Sequence, residues 1–488
     1  MSTYTISNTK LNPNRVFILQ KSELEKRFDP AYYYELRNNK FEFAYSSKTI
    51  SRIVKSYSGG TPNKSNIAYW NGNICWASPK DMKDFYLSDT QDKITFAGVK
   101  NSSTKIAPIG SVLIVFRSGI LQHTLPVSVT KVESSINQDL KVLVPSEDLL
   151  PEYLAVFLKT FEKRILPRIV KHSTTVQSIN QEDFNRLSIP IPKIEIQKII
   201  IGIYKTYLIQ KKQNEAETEK LLASIDDYLL GELGIKLPEL PENNLENRMF
   251  TVSLKEISGG RFDPKLYDNT TQAIRNAIEK ANFDKPKLKE LVTSSIAGDW
   301  GKDENENLAD NFKRCLVIRA TEFDNLYNLN LDNSRVKYRL INSGKLDRID
   351  IQENDLLIEK SGGSPDQPVG RISILTNDIL KTHQIGYSNF IHKIRVDNSK
   401  INSEYLFCFL KTVHNIKLTD AMQSQTNGIR NLIMSNYFNQ IIPLPKIDKQ
   451  KEIANHISEI RKQAQKLKNQ TAEALKSASN EIEKILLN

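Results

Sequence analysis

Apolar side chains recur at helical spacing through the C-terminal part of the chain. They stand three or four residues apart, with one stutter after Thr471: Ile453, Ile457, Ile460, Ala464, Leu467, Leu475, Ala478, Ile482 and Ile485. A seam sustained in this way is typical of a coiled coil and predicts one long helix. A single helix cannot bury such a stripe, so we expect it to have a helical partner.

A second long helix is predicted from about residue 196 to residue 230. It is apolar at both ends, at Ile199, Ile200, Ile203 and Tyr207 and again at Leu221, Leu222, Ile225 and Leu229. Residues 210–220 between them are polar and charged, which fits either a solvated helix face or a partly exposed coiled coil. We favour the coiled coil, with the C-terminal helix as partner, because neither helix can bury its stripe alone. Gly231, Gly234, Pro238 and Pro241 then end the helix and form a linker.

Four short sequences occur twice, in the same order. They are RFDP at 27–30 and 261–264, LIVFRSG at 113–119 with LLIEKSG at 356–362, PEYL at 151–154 with SEYL at 403–406, and IPIPKI at 189–194 with IPLPKI at 442–447. The offset grows from 234 (261 − 27) to 253 (442 − 189), so the second copy carries about 19 extra residues. A period of this length is far too long for a solenoid and indicates two copies of one large domain.

Each copy is predicted to have the same internal order of elements. Short apolar runs punctuated by Gly, Pro, Asn and Ser predict short strands and loops with a few helices. A helical stretch follows, at residues 152–169 in the first copy and from 403 to roughly 421 in the second. The Ile-Pro-x-Pro stretch after it is extended, because proline disfavours helix in the residue before it. This mixture is typical of the α+β class.

The charge of the chain points to a polyanionic partner. Lys and Arg total 68 against 57 Asp and Glu, a net charge of +11, which favours nucleic acid first and a membrane surface second. A basic enzyme without such a partner is the alternative. Three widely separated cysteines, no apolar core in the first 15 residues and no apolar run near ~20 residues predict a soluble protein of the reducing cytoplasm.

Recognisable catalytic motifs are absent from the sequence. There is no Walker A sequence, no Asp/Asn-Pro-Pro-Tyr/Phe loop of amino-methyltransferases, no His-Glu-x-x-His and no Cys-x-x-Cys. Asp355 precedes Glu359 and Lys360, but acid and lysine are adjacent, which breaks the common nuclease spacing. The six histidines are scattered. These absences favour binding over catalysis, with no catalytic residue and no metal site.

Several longer stretches carry a resemblance to a known family. Residues 58–65 (SGGTPNKS) and 69–82 (YWNGNICWASPKDM) resemble the opening of a target-recognition domain in the specificity subunit of type I restriction–modification systems. Residues 298–301 (GDWG) and 355–364 (DLLIEKSGGS) resemble another version of that domain. The resemblance covers nearly the whole chain in the order domain, helix, domain, helix. The second copy lacks the GGTP and YW opening, which suggests that the two halves read different sequences.

The resemblance implies a fold of two tandem mixed α/β target-recognition domains, each followed by a long helix, with the helices paired as an antiparallel coiled coil. The corresponding bounds are 1–192 and 246–445 for the domains, 193–245 for the central helix and linker, and 446–488 for the C-terminal helix. It also implies a non-catalytic reader of double-stranded DNA, in which each domain binds one half of a split target and the helices hold the domains a fixed distance apart. Inserting whole helical turns after Gln213 would then lengthen the gap between the half-sites.

The same resemblance places the chemistry in partner subunits. Methyltransferase subunits, normally two, would supply the S-adenosylmethionine pocket and adenine-N6 methylation. Motor-nuclease subunits would supply ATP hydrolysis with Mg²⁺ and DNA cleavage. No cofactor is expected in this chain.

Candidate DNA-binding residues are polar or basic side chains in loop-like contexts, where Lys and Arg neutralise phosphate and Arg, Asn or Gln discriminate bases. In the first copy they are Lys64, Ser65, Tyr69, Lys80, Lys83, Arg117, Ser118 and Gln122. In the second copy they are Trp300, Lys302, Arg319, Arg335, Lys337, Lys360, Ser361, Gln367 and Arg430. The alternative for the Arg117 strand end is a solvated hairpin. The loops at 174–178 and 426–430 are expected to touch phosphate.

Other repeated or aromatic residues are interpreted as structural. Trp70 and Trp76 are expected in the core rather than stacked on bases. Asp29 and Asp263 of the RFDP motifs are expected to cap turns or pair with the preceding arginine, and methyltransferase docking is the sharper alternative.

Three other functions remain open. The chain could be the recognition subunit of another methylation-linked defence system, an architectural DNA-binding protein, or a stand-alone enzyme with an unfamiliar site. An architectural protein would show salt-dependent binding with little sequence discrimination.

Overall fold

Two units correspond to the two copies found in the sequence. The computed structural model describes residues 18–24, 29–38, 41–171, 176–239, 241–242, 244–258, 262–306, 311–324, 327–333, 335–363, 367–426 and 429–487. Unit 1 comprises residues 1–213 and 470–488, and unit 2 comprises residues 214–469. The domain bounds predicted above stay a prediction.

Unit 1 alternates short helices with short strands. Its helices are α1 (Pro30–Asn38), α2 (Ile50–Ile53), α3 (Phe96–Lys100), α4 (Pro151–Thr160), α5 (Glu162–Ile169), α6 (Gln181–Asn185) and the first half of α7 (Ile194–Glu232). The end of the C-terminal helix, residues 470–486, also belongs to unit 1. Its strands are β1 (Ser47–Thr49), β2 (Val54–Ser58), β3 (Trp70–Ala77), β4 (Tyr86–Leu87), β5 (Asp92–Ile94), β6 (Lys105–Ala107), β7 (Val112–Val115), β8 (Val127–Thr130), β9 (Ser134–Ile136), β10 (Leu140–Pro145), β11 (Val170–Lys171), β12 (Ser178–Ile179) and β13 (Ser188–Pro190).

Two sheets form the centre of unit 1. One has the strand order β2-β10-β7-β8-β4, and the other has the order β5-β3-β9-β6, in which β3 and β9 are parallel. Every residue of β7 is buried, which explains why its sequence is a continuous apolar run. Helix α4 packs its buried face, Tyr153 to Leu158, into the same core.

Unit 2 repeats this plan with longer connections. Its helices are the second half of α7, α8 (Leu245–Arg248), α9 (Leu254–Ile257), α10 (Pro264–Tyr267), α11 (Asn269–Glu279), α12 (Leu288–Leu291), α13 (Ser343–Ile349), α14 (Asn377–Thr382), α15 (Ser403–Asn415), α16 (Met434–Phe438) and the first part of α17 (Ile447–Leu486). Its strands are β14 (Val292–Ala297), β15 (Lys302–Asp303), β16 (Phe312–Ile318), β17 (Lys337–Asn342), β18 (Leu356–Glu359), β19 (Ser361–Gly362), β20 (Ile372–Ile374), β21 (Ile385–Tyr387), β22 (Ile391–Val396), β23 (Gln423–Thr426) and β24 (Ile429–Leu432).

The sheet order of unit 2 matches that of unit 1. The order β14-β22-β18-β20 corresponds to β2-β10-β7-β8, and the parallel pair β16/β21 corresponds to β3/β9. A separate three-stranded sheet has the order β19-β24-β23. The mixed fold of two similar units predicted from the sequence is confirmed.

Two hydrogen-bonded contacts recur at matching places and explain two of the repeated sequences. The hydroxyl of Tyr153 donates to the carbonyl of Pro190 (2.8 Å), and that of Tyr405 donates to Pro443 (2.6 Å). The buried amide of Gln197 donates to Pro192 (2.9 Å), as Gln450 donates to Pro445 (2.7 Å). Each Ile-Pro-x-Pro stretch is thereby tied to an earlier helix, α4 in unit 1 and α15 in unit 2, and to the long helix after it.

Within each unit, the two long helices pair in opposite directions. In unit 1, Ile200 and Tyr204 near the start of α7 share a core with Ile482 and Leu486 near the end of α17. In unit 2, Glu232 at the end of α7 forms an ion pair with Lys449 at the start of α17 (2.5 Å). The Tyr228 ring also lies 4.1 Å from the His456 ring. The antiparallel pairing is confirmed.

Two predicted helical stretches end differently from expectation. The stretch at 152–169 is interrupted at Phe161, between α4 and α5. The stretch expected to reach residue 421 stops at Asn415, because Lys417 adopts a left-handed backbone conformation (φ 65°). A 3₁₀ turn, Leu418–Met422, continues the chain. The prediction was wrong there, since no glycine marks the left-handed position.

Candidate nucleic-acid interface

In unit 1 the loop after a buried strand is bonded to the segment that precedes the Ile-Pro-x-Pro stretch. Strand β7 is apolar and buried, and the chain becomes polar at Arg117 and Ser118. The Ser118 amide donates to the carbonyl of Gln177 (3.0 Å), and Arg117 forms an isolated antiparallel bridge with Ser178. We call this contact the unit 1 joint. It brings together Arg117, Ser118 and residues 177–178. Residues 174–175 of the predicted phosphate loop lie outside the described residues.

The Arg117 side chain is held at one end and exposed at the other. Its Nε donates to Oδ1 of Asp139 (2.9 Å), and the side chain is 60% exposed. A guanidinium has five N–H donors, so the group keeps donors that can bind a guanine edge or a phosphate in pairs. Ser118 caps a short turn by accepting from the Ile120 amide (3.4 Å), and Gln122 at the end of that turn is exposed.

Unit 2 has the same joint, built more tightly. The Leu432 amide donates to the carbonyl of Lys360 (2.7 Å), and β19 pairs with β24 so that Gly362 lies opposite Arg430. The pairing brings Lys360, Ser361 and Arg430 together. Ser361 is buried and Lys360 is half-buried, whereas Gln367 is exposed. Residues 364–366 and 427–428 lie outside the described residues.

A buried ion pair stabilises the strand end that leads into the unit 2 joint. Nε and Nη2 of Arg371 donate to the two carboxylate oxygens of Glu359 (2.8 and 3.0 Å), immediately before Lys360. Arg371 also donates to the carbonyls of Phe323 (3.1 Å) and Ala320 (2.8 Å). The pair lies at the wall of a cavity of about 470 Å³ that Gly363 and Gln367 also line. The end of β18 is therefore held next to the turn that contains Ala320 and Phe323.

The GGTP opening of the first copy is held by the two tryptophans. Trp76 is buried and its indole donates to the carbonyl of Gly60 (3.1 Å), while the half-buried Trp70 donates to Asn63 (3.1 Å). The two rings meet edge to face at 5.2 Å. A Cβ at Gly60 would lie 2.0 Å from Oγ of Ser103, so only glycine fits. The structural role predicted for the tryptophans is confirmed for Trp76, and Trp70 packs against it.

Two exposed apolar side chains lie next to this opening, on two short helices that hydrogen bonds connect. Ile67 is 81% exposed and Phe96 is 73% exposed. Thr95 joins their two short helices, because its hydroxyl donates to Ala68 (2.8 Å) and its amide donates to Tyr69 (3.0 Å). Sequence reasoning missed both residues, although the capping residues before each turn were a readable signal. Apolar groups of this kind contact thymine methyl groups in the major groove.

The remaining candidates of the first copy differ in their exposure and in the partners that their side chains or backbone groups contact. Lys64 and Lys83 are exposed, and Ser65 donates its amide to the Asn63 side chain (3.0 Å). Lys80 forms an ion pair with Asp92 (2.8 Å), and this hydrogen bond raises the pKa of the lysine. Tyr69 is half-buried.

In the second copy, the basic candidates near Trp300 share one sheet edge. Arg339 lies over the Trp300 ring (5.1 Å) and pairs with Asp303 (3.2 Å). Lys302 of β15 lies 3.8 Å from Glu306, and Lys337 of β17 is exposed. The sheet β15-β17-β16-β21 therefore gathers Trp300, Lys302 and Lys337 at its β15–β17 side.

Arg319 is already engaged within the protein. Its Nη2 donates to the fully buried Glu322 (2.6 Å) and to the carbonyl of Arg335 (2.6 Å). The arrangement fixes the loop that carries the exposed Arg335. Arg319 thus positions its neighbour, whereas contact of any of the candidates with DNA stays a prediction.

The described part of the chain has neither a metal-binding cluster nor a membrane-spanning helix. Among those residues, no group of three or more His, Cys, Asp or Glu is placed to hold a metal ion. None of the described helices is long and apolar enough to cross a membrane.

Comparison with known proteins gives consistent matches. Residues 42–223 and 281–477 match the family model described as type I restriction modification DNA specificity domain. The chain is 40% identical over 157 residues to the type I restriction enzyme EcoR124I/EcoR124II specificity subunit of Escherichia coli, covering 32% of this chain and 39% of that protein. It is 29% identical over 175 residues to the MjaIX specificity subunit of Methanocaldococcus jannaschii, covering 34% and 40%. The chain thus spans about two fifths of the length of these curated relatives.

One solved structure that the chain matches is the type I restriction–modification S subunit from M. genitalium. The match covers 93% of this chain and 98% of that chain, with 13% identity and a TM-score of 0.41.

Proposed function

Because the chain belongs to the type I restriction modification DNA specificity family, we propose that it is the DNA-reading subunit of a methylation and cleavage complex. Each unit reads one half of a bipartite target in double-stranded DNA. The chain itself carries out no bond-making or bond-breaking step. It positions partner subunits on the target by binding.

The repeated joint supports this proposal most directly. In both units a loop at the end of a buried strand is bonded to the segment before the Ile-Pro-x-Pro stretch. The side chains presented there differ, with Arg117 and Ser118 in one copy and Lys360 and Ser361 in the other. A common scaffold with different donors is the arrangement needed to read two unlike half-sites, because bases are distinguished by donor and acceptor pattern.

In this proposal, different residues contact the phosphates and the bases. Exposed lysines such as Lys64, Lys83 and Lys337 neutralise phosphates and set the register of each unit on the duplex. Arg117, Gln122 and Gln367 reach base edges from the joints. Ile67 and Phe96 add apolar contact to thymine.

Partner subunits complete the activity. Methyltransferase subunits, two in the expected complex, would bind S-adenosylmethionine, extrude the target adenine and methylate its N6. Motor-nuclease subunits would hydrolyse ATP with Mg²⁺ and cleave DNA. These assignments follow from family membership, and this chain is expected to bind none of those cofactors in the cytoplasm of its host.

A methylome tests the proposal. The chain is co-expressed with the neighbouring methyltransferase gene in a methylation-free host, and N6-methyladenine is mapped by single-molecule sequencing. We expect a split motif with two unlike halves that disappears when this chain is omitted. An assembled complex that adds no methylation would overturn the proposal. Salt-dependent DNA binding without sequence discrimination would indicate the architectural alternative instead.

A further inference from the structure

The backbone hydrogen bonds of the two joints align the two copies residue by residue. In unit 1 the carbonyl of Asp139 accepts from the amide of Arg117 (3.2 Å) and from that of the residue before it (2.8 Å). In unit 2 the carbonyl of Phe390 accepts from the amide of Ser361 (3.2 Å) and from that of the residue before it (2.7 Å). Asp139 therefore corresponds to Phe390, and Arg117 corresponds to Ser361.

The pairing of the strands gives the same alignment. Val115 at the end of β7 lies opposite Leu140, and Glu359 at the end of β18 lies opposite Ile391. The offset between these aligned residues is 244 (359 − 115), whereas the similar sequences LIVFRSG and LLIEKSG have an offset of 243 (356 − 113). The match of the two sequences is thus displaced by one residue from the alignment of the two backbones.

The aligned positions have different side chains at the two joints. In unit 1, Arg117 is 60% exposed and its Nε donates to Oδ1 of Asp139 (2.9 Å), so its two Nη groups keep their four N–H donors. A guanidinium held at one end by a carboxylate is suited to the O6 and N7 acceptors of guanine. The corresponding Ser361 of unit 2 is only 5% exposed, so it offers DNA no comparable donor.

Unit 2 has apolar surface at its joint instead. Phe390, in the place of Asp139, is 45% exposed, and Ile429 is 47% exposed. Ile429 lies in β24, and the two residues after it pair with Gly362 and Ser361. The apolar group that a base pair offers in the major groove is the methyl group of thymine, and aromatic and aliphatic side chains contact it. The surface of the unit 2 joint is therefore suited to thymine.

The charge around these apolar side chains favours DNA as the molecule that contacts them. Two basic and no acidic residues occur in the three segments that form the joint, 360–363, 388–391 and 429–432. The basic residues are Lys360, whose amide donates to the carbonyl of Phe390 (2.7 Å), and Arg430, which pairs with Gly362. Positive charge at this distance from an apolar surface attracts the phosphates that accompany the bases.

We infer that the unit 2 joint selects a thymine through Phe390 and Ile429, whereas the unit 1 joint selects a guanine through Arg117. The inference rests on the proposed function, which supplies DNA as the ligand, and it specifies the base that each joint selects. The two basic residues of the unit 2 joint bind the adjoining phosphates. The base pair that the joint contacts is thus A·T in the half-site of unit 2 and G·C in the half-site of unit 1.

The test uses the full chain purified with its methyltransferase subunit, and duplexes that carry the motif found in the methylome. Each thymine is replaced singly by deoxyuridine, which lacks the methyl group, and each guanine singly by 7-deazaguanine, which lacks the N7 acceptor. Fluorescence anisotropy measures the dissociation constants. Deoxyuridine should weaken binding by the wild-type chain about fourfold at one thymine, as expected for the loss of one methyl contact. At one guanine of the other half-site, 7-deazaguanine should weaken binding about fivefold or more.

Variants of the chain assign each base to a side chain. In Phe390→Ser, deoxyuridine at the sensitive thymine should weaken binding no further, and in Arg117→Ala the same should hold for 7-deazaguanine. Ile429→Ser is a second variant of the same joint and should also reduce the sensitivity to deoxyuridine. Ile109→Ser is the matched control, because Ile109 is 63% exposed and lies outside both joints. It should leave both sensitivities unchanged.

Each result supports or overturns the inference. Sensitivities that disappear in Phe390→Ser and in Arg117→Ala, in different half-sites, would support it. A wild-type chain insensitive to deoxyuridine at every thymine, or joint variants that keep the wild-type sensitivity, would overturn it and leave the proposed function intact. A Phe390→Ser variant that loses equal affinity for the motif and for unrelated DNA would also overturn it, because Phe390 would then stabilise the joint without selecting a base. A wild-type chain with no preference for the motif would overturn both.

Discussion

Removal of the Arg371 side chain should destabilise the unit 2 joint. Arg371 is 8% exposed and Glu359 is fully buried, and two hydrogen bonds of 2.8 and 3.0 Å join them. In Arg371→Met, the carboxylate at Glu359 loses its charged partner inside the protein. Breaking a buried pair in this way costs about 3–5 kcal/mol.

Hydrogen exchange of peptides that contain β18 measures the effect in unit 2 separately from unit 1. We expect the opening free energy of these peptides to fall by about 3–5 kcal/mol at pH 7. The double variant Glu359→Leu with Arg371→Met should recover most of the loss, because an apolar pair leaves no charge unpaired. An opening free energy equal to that of the wild type, or a double variant as unstable as the single one, would refute this reasoning. In the methylome, Arg371→Met should reduce sequence discrimination in one half of the methylated motif and leave the other half unchanged.

Three further predictions follow from single side chains. Arg117→Ala should lower affinity for the target by about 1–3 kcal/mol without changing affinity for unrelated DNA, as measured by fluorescence anisotropy; an equal loss on all sequences would indicate phosphate contact instead. Phe96→Ser should weaken target binding by about 1 kcal/mol and leave the salt dependence unchanged, and an altered salt slope would contradict the apolar contact. Burial lowers the pKa of Lys411 to about 8, so the unfolded chain binds more protons between pH 8 and about 10.4 and stability rises with pH over that window. Lys411→Met should therefore stabilise unit 2 by up to about 3 kcal/mol at pH 7 and by nothing near pH 10.5, and a pH-independent difference in melting temperature would count against it.

The parts of the fold that depend on local pattern could be predicted from the sequence. The long helices follow from spacing, since Ile453 and Ile457 lie on one face and residues of the same pattern recur through Ile482. The repeated PEYL and IPIPKI sequences locate contacts that the structure shows as the Tyr153–Pro190 and Tyr405–Pro443 hydrogen bonds. Features of this kind can be predicted because the residues that determine them lie close together in the sequence or occur in both copies.

The site depends on long-range pairing, which the sequence does not display. Ser361 stands in a polar, glycine-rich stretch typical of an exposed loop, yet it is buried because it pairs with Asn431, 70 residues later. Arg319 looks like a free cation in sequence, but Glu322 is buried three residues on and accepts from its guanidinium. The pairing of Arg319 with Glu322 could partly be predicted from the sequence, because the two residues have the spacing of a capping box.

Unit 1 is completed by residues that the ribosome adds long after the rest of it. The segment from Gln470 follows Gln213 by 257 residues (470 − 213). At about 5–20 residues per second, translation of the intervening stretch takes about 13–50 s. Throughout that interval Ile200 and Tyr204, which later pack with Ile482 and Leu486, have no α17 to cover them. The first half of a nascent chain therefore exposes an apolar helix face that chaperones, or the same helix of another chain on the same messenger RNA, can bind before its own partner is made.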